Sequence, residues 1–231
     1  MPAGVAERVR LDALLAERGL FESRSRAAAA VLAGEVAIGG APAAKPGQLV
    51  ARDAVVELAE APRFVSRGGV KLANALAASG VAVAGRAALD VGASTGGFTD
   101  CLLQAGAARV TCVDVGYGEL AWRLRGDPRV SVLERRNART LSPALLPYAP
   151  DLIVVDVSFI SLRTVLAPVL ACAAARFDAL ALVKPQFEVG RGNVGKGGVV
   201  RDPALRVGAL VAAGEAALAL GASGRGYWSS G

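Results

Sequence analysis

The chain has 231 residues, of which 53% are hydrophobic, with a formal net charge of +6 and no histidine. That is enough apolar mass for one large or two modest globular domains. No run of about 18 uninterrupted apolar residues offers a membrane span, and the charged start around Glu7, Arg8, Arg10 and Asp12 lacks the apolar centre of a signal peptide, so a cytoplasmic protein with no membrane partner is expected. The missing histidine removes the usual general base and the commonest metal ligand. Cys101, Cys112 and Cys172 lack the paired short spacing of a zinc site or a disulfide framework. No metal is therefore expected, the cysteines are read as small core residues, and the basic balance favours a polyanionic partner. Nothing in the sequence indicates an oligomeric state.

In chain order, residues 8–60 read as one small unit. A helix is predicted to open at Arg8 and end at Gly19, with Leu11, Leu14 and Leu15 on one face. Ser23 is a candidate N-cap for a second helix running to Leu32 and stopped by Gly34. Short strands are predicted at 35–38 and 53–58, separated by turns at Gly39-Gly40 and Lys45-Pro46-Gly47. The order RLDALLAERGLFESRSRAAAAVLAGEVAIGG, then Lys45-Pro46-Gly47 and DAVVEL, resembles the S4 RNA-binding module. The resemblance implies a small α+β domain over residues 1–60 that grips structured RNA, with Arg10, Ser23, Arg24, Arg26 and Lys45 as the positions facing phosphates.

Residues 61–70, APRFVSRGGV, hold three breakers and no acid and read as a linker. From residue 71 to the end, strand and helix patterns alternate. Strands are predicted at 87–91, 110–115, 130–133, 152–157 and 179–183, and helices at 71–78, 97–105, 118–125, 161–175 and 204–220, with Pro168 expected to kink or split its helix. This alternation predicts a doubly wound, Rossmann-like α/β sheet.

The turn Gly92-Ala93-Ser94-Thr95-Gly96-Gly97 follows the first of these strands, and three glycines in six residues let main-chain amides approach a ligand at a helix start. Asp114 ends the second strand, twenty-four residues after Asp90, where a carboxylate accepts hydrogen bonds from both hydroxyls of a ribose. A nucleoside cofactor is expected, and both NAD and S-adenosylmethionine qualify. The turn lacks the G-x-G-x-x-G spacing of a pyrophosphate site and resembles the methyltransferase form. S-adenosylmethionine is then the expected cofactor, its amino-acid end met by Asp90 and by backbone at Gly92, Ser94, Gly96 and Gly97. Asn137 in ERRNAR is the candidate beside the adenine.

Two further strand ends bring Asp156 in VVDVSF and Lys184 in LVKPQFE to the same edge. Neither the acid-Pro-Pro-aromatic pattern of amino-nitrogen methylation nor the cysteine of base-carbon methylation is present. A lysine beside an aspartate suits oxygen methylation, with a base taking the proton of a ribose 2′-hydroxyl. Because lysine ordinarily titrates near about 10.4, burial or a second cation must lower it, and Lys71 in SRGGVKL is the candidate cation. Residues 188–203, with Arg191 and Lys196, form a glycine-rich basic loop expected to close over RNA.

The stretches SRGGVKL, LDVGASTGGFTD, VDVGYGELAWRLR, ERRNAR, DLIVVDVSFISL and VKPQFEVGRGNVGKGGVVRDP together resemble the TlyA/hemolysin A family of ribosomal RNA ribose 2′-O-methyltransferases, an S4 module joined to an FtsJ-like catalytic domain. The resemblance implies cytidine 2′-O-methylation in ribosomal RNA of the small or large subunit. It also implies a Lys-Asp-Lys-Glu catalytic set, of which Lys71, Asp156 and Lys184 match the first three. Lys184 is assigned as base, Asp156 as its orienting partner, Lys71 as the positioning cation, and Arg67 as an RNA contact. The family's glutamate lies on a final strand, whereas this sequence stops at Gly226–Gly231 within what reads as the penultimate strand. The catalytic domain is accordingly expected to be C-terminally incomplete and to expose strand edges. A non-catalytic RNA-binding or assembly protein is the alternative reading. The family's hemolysin name suggests a membrane-active protein, for which the sequence supplies no amphipathic basic helix.

Overall fold

The computed structural model describes residues 7–59, 62–224 and 226–229. The chain divides into two compact units between Arg63 and Phe64.

In the first unit, β1 (Arg8–Arg10) runs directly into α1 (Leu11–Glu17), followed by α2 (Arg24–Leu32), β2 (Val36–Ile38), β3 (Ala41–Pro42), β4 (Leu49–Ala51) and β5 (Val56–Leu58). Arg8-Val9-Arg10 was expected to open the helix but is extended, because alternation lets Val9 pack inward while both arginines face out and pair with β4, Val9 opposite Val50. β3 and β5 flank β2 antiparallel. The core is Leu11, Leu14 and Leu15 of α1 against Ala27, Ala30 and Val31 of α2, closed by Val36 and Val50. Alanines on α2 let the two helices approach closely.

The second unit begins earlier than the sequence pattern suggested. α3 spans Arg67–Ser79, so Arg67 to Val70, read as linker, are its first turn; the expected boundary at Glu60 and Ala61 lies outside the described residues. There follow β6 (Ala87–Val91), α4 (Gly97–Gln104), β7 (Arg109–Val113), α5 (Trp122–Arg125), β8 (Val130–Leu133), β9 (Leu152–Val155), α6 (Leu162–Leu170), β10 (Asp178–Ala181), α7 (Pro185–Glu188) and α8 (Pro203–Ala219). The helix expected over 118–125 is confined to α5, because Gly118 takes a left-handed φ of 75° and donates its N–H to Glu134 at 2.9 Å. α6 continues through Pro168 and stops at Leu170, not Ala175. Residues 226–229 form no strand, contrary to expectation, and Ser230 and Gly231 lie outside the described residues.

Among the described residues of this unit five strands form one sheet, all parallel, in the order β10-β9-β6-β7-β8. Alternate residues point to opposite layers. Ala88, Val110, Cys112, Leu152 and Val154 meet Leu72 of α3 and Phe98, Cys101 and Leu102 of α4. Leu89, Val91, Val113, Ile153 and Val155 meet Leu162, Val165, Leu166 and Val169 of α6 and Ala213 of α8. Cys101, Cys112 and Cys172 are buried, and none of them is in a disulfide. The strand order reverses between β6 and β9, which opens a crevice at their carboxyl ends.

Candidate active site at the carboxyl ends of β6, β9 and β10

Two glycine contacts shape the crevice. Gly92, at the end of β6, has a left-handed φ of 87°, and a Cβ there would lie 2.6 Å from the Asp156 carbonyl oxygen. Gly97, the first residue of α4, leaves no room for a Cβ, which would overlap the Ser66 hydroxyl and lie 2.8 Å from Gly69 N. The glycines of SRGGVK and GGFT thus let α3 cross α4 closely, and that crossing delivers Lys71 to the strand ends. Ser66, Arg67, Gly68, Lys71, Gly92, Ser94, Gly97 and Asp156 line, with their neighbours, a cleft of about 270 Å³.

Lys184, between β10 and α7, brings Nζ to 2.6 Å from Asp156 Oδ1. Its directed hydrogen bond goes instead to Ser158 Oγ at 2.7 Å, and Oδ1 has no hydrogen bond of good geometry, so the lysine meets the carboxylate through charge and the hydroxyl through geometry. Both side chains are about one-fifth exposed, open enough to reach a substrate and sheltered enough to interact strongly. The sequence reading missed Ser158, although it lies two residues past Asp156. It also missed Phe159, which is 92% exposed with a left-handed φ of 64° and stands 5.3 Å from the Phe187 ring. A run of DVSF gives no sign of that backbone strain.

The residues expected to meet the cofactor separate into three groups. Gly92, Ser94 and Gly97 line the cleft. Asp114 sits beside it, its Oδ2 accepting from Ser94 N at 2.8 Å and its Oδ1 from Gly116 N at 2.7 Å; each carboxylate oxygen keeps a further lone pair for a ribose hydroxyl. Glu119, not singled out from the sequence, joins this cluster through Ser94 Oγ at 3.3 Å. Gly96 does not line the cleft, since its empty side is filled by Leu120 and Leu124. Asn137 is exposed and accepts from Arg139 N at 3.0 Å, capping the turn Ala138–Thr140. Bare backbone at Gly92 and Gly97, a carboxylate beside it at Asp114, and the absence of a phosphate-spaced turn fit the nucleoside and amino-acid ends of S-adenosylmethionine.

Asp90 is wholly buried beneath the cleft rather than in its wall. Thr99 donates to Oδ2 at 2.7 Å, Oδ1 has no partner, and burial pushes the carboxyl up to about 7. An aspartate in the unfolded chain titrates near about 3.9. Between about pH 4 and 7 the folded state therefore keeps a proton that the unfolded state has lost, and stability falls as pH rises across that window by a few kcal/mol. Thermal melts of the wild type and of Asp90→Asn at pH 5 and pH 8 check this: the wild type loses stability at the higher pH and the variant loses less.

In the first unit, Asp12 is buried and its carboxyl is lowered to about 2 by hydrogen bonds from the Arg10 guanidinium. Arg10 bonds it at 3.1 and 2.7 Å, and Arg24 forks to both its oxygens at 3.4 Å. Arg10 and Arg24 are thus held side by side, about half-exposed. Arg26, two residues past Arg24, is exposed, as is Lys45, while Ser23 caps α2 by accepting from Arg26 N at 3.2 Å. Arg191 and Lys196 are exposed in the loop after α7. That loop is organised by bonds from Gly195 N to Val199 O and from Gly198 N to Gly195 O, at 3.0 and 3.1 Å.

A doubly wound sheet with a glycine-walled cleft at its switch point, and a lysine–aspartate pair beside it between the ends of β9 and β10, fits the methyltransferase class. Residues 64–228 match the FtsJ-like methyltransferase model and residues 9–56 the S4 domain model, and the chain belongs to the FtsJ-like methyltransferase family. It is 53% identical over 219 residues to the 16S/23S rRNA (cytidine-2′-O)-methyltransferase TlyA of Mycobacterium tuberculosis, covering 94% of this chain and 82% of that one. It is 40% identical over 200 residues to Hemolysin A of Brachyspira hyodysenteriae, covering 86% and 83%. A solved structure from Streptococcus thermophilus that carries the hemolysin name superposes with a TM-score of 0.69 at 39% identity, covering 94% of this chain and 80% of that one. Among the described residues no helix is long and apolar enough to cross a membrane.

Proposed function

We propose that this methyltransferase acts in the cytoplasm on the 2′-hydroxyl of a cytidine ribose in ribosomal RNA of the small or large subunit, with S-adenosylmethionine as donor. The observation that carries the reading is the Lys184–Asp156 pair, 2.6 Å apart, at the rim of the cleft that holds Lys71. The 53% identity to a protein named for that reaction supports it.

S-adenosylmethionine, when bound, supplies a methyl group made electrophilic by the sulfonium. Gly92, Ser94 and Gly97 admit its amino-acid end, Asp114 receives its ribose hydroxyls, and Asn137 borders its base. Lys184, as the free amine, takes the proton of the 2′-hydroxyl while that oxygen attacks, and Asp156 holds the ammonium that forms. Lys71, in the wall of the same cleft, offers a second positive charge that draws the RNA in. Phe159 presents an exposed ring on which the target base stacks. Arg10, Arg24, Arg26 and Lys45 of the first unit, with Arg67, Arg191 and Lys196 of the second, contact RNA phosphates, and Ser23 preserves the start of α2.

Calorimetry tests the cofactor half of this reading. Asp114→Ala removes a charged acceptor and is expected to weaken S-adenosylmethionine at least about tenfold; equal affinities of variant and wild type refute the ribose assignment. Transfer of labelled methyl to isolated ribosomal RNA tests the other half. Salt-dependent RNA binding with no cofactor binding would instead identify a non-catalytic RNA-binding protein.

A further inference from the structure

Glu188 lies four residues past Lys184, at the end of α7, and its side chain is 2% exposed. Its Oε1 accepts from Leu162 N and its Oε2 from Ser161 Oγ, both at 2.6 Å, and Arg163 Nε reaches Oε2 at 3.4 Å. The carboxylate therefore caps the first turn of α6, whose own N-cap, Ser161, makes no side-chain cap bond. α6 follows the loop that carries Asp156 and Ser158, so the cap ties that loop to the one that carries Lys184.

Such a tie has a purpose. β9 and β10 are hydrogen-bonded neighbours, but the last backbone bond between the two chain segments among the described residues runs from Leu182 N to Val155 O at 2.8 Å. Beyond it, the two catalytic side chains sit on loops with no ladder to keep them in register. The Glu188 cap and the Phe159–Phe187 ring contact at 5.3 Å bridge these loops, and the Lys184 contacts to Asp156 and Ser158 lie in the same loop pair.

We propose that Glu188 is a positioning residue for methyl transfer, its buried carboxylate fastening the Lys184 loop to the start of α6 and thereby setting the approach of Lys184 to Asp156. The inference rests on the proposed roles of Lys184 and Asp156. Misplacing a reacting group by about 1 Å costs on the order of a hundredfold in rate.

The test is steady-state methyl transfer to ribosomal RNA by the full chain, with folded protein quantified by circular dichroism. Glu188→Ala is expected to lower kcat per folded molecule about 10- to 100-fold, with the KM for RNA and the Kd for S-adenosylmethionine within about twofold. Glu188→Gln is expected to recover most of that loss, because its amide oxygen still accepts from Leu162 N and its amide nitrogen can donate to Ser161 Oγ. A merely structural role would reduce the folded fraction and leave kcat per folded molecule unchanged, and that result overturns the proposal. If Glu188→Ala does not fold, Ser161→Ala removes one of the two short bonds: a severalfold loss of kcat at constant KM supports the proposal, and an unchanged kcat overturns it. Lys184→Ala, run in parallel, separates the two levels. Transfer surviving in Lys184→Ala defeats the underlying reading, whereas loss in Lys184→Ala with normal kcat in Glu188→Ala defeats this inference alone.

Discussion

Replacing Lys184 by alanine is expected to reduce methyl transfer by about 10²- to 10⁴-fold, the range that a positioned general base supplies. Nζ meets Asp156 Oδ1 at 2.6 Å and Ser158 Oγ at 2.7 Å, so the substitution removes a proton acceptor and leaves Asp156 without its cation. Lys184 forms no part of the glycine-walled cleft; S-adenosylmethionine affinity, read by calorimetry, is therefore expected to stay within about twofold while single-turnover transfer collapses. Lys184→Arg is expected to fare no better, since guanidinium keeps its proton at any accessible pH. Full transfer by Lys184→Ala would move the base to another residue.

The second large effect is expected at Gly92. Alanine there must hold a φ of 87° and place a Cβ 2.6 Å from the Asp156 carbonyl oxygen, with backbone rather than a flexible side chain as the obstacle. Left-handed strain of ~1–3 kcal/mol and overpacking of ~1–3 kcal/mol together give a loss of ~2–6 kcal/mol. In a unit of this size that corresponds to a fall in melting temperature of roughly 4–24 °C. Relief requires the ends of β6 and β9 to part, so cofactor binding and the Lys184–Asp156 approach are expected to fail together. Gly118→Ala is the control, because Gly118 has a φ of 75° and nothing within 4 Å of a Cβ. It bears the strain without the clash, and a Gly92→Ala melt no lower than that of Gly118→Ala would show that the close approach to Asp156 carries no weight.

Much of the catalytic unit was legible in the sequence because its signals are local. A buried strand followed by a glycine turn and a helix start, repeated with Asp114, Asp156 and Lys184 at successive strand ends, fixes a parallel sheet and the edge at which those groups gather. The small first unit was less legible: its strands are only two or three residues long, too short for alternation to outweigh a neighbouring helical pattern, and Arg8–Arg10 was misread for that reason. Residues 67–70 were misread as linker because two glycines in a helix look like breakers unless the helix crossing that needs them is seen.

By itself, the sequence determined the fold class, the glycine turn, and the residue types available for proton transfer once histidine is absent. Tertiary structure decided how those residues are used. Asp90 and Gly96 are drawn into a buried carboxyl and a packing contact, because side chains further along the chain compete for them. Ser158, Phe159 and Glu188 gain their places around Lys184 for a related reason. Two loops leaving adjacent parallel strands must be fastened by side chains once the backbone ladder ends, and no spacing along the chain records which side chains meet across that gap.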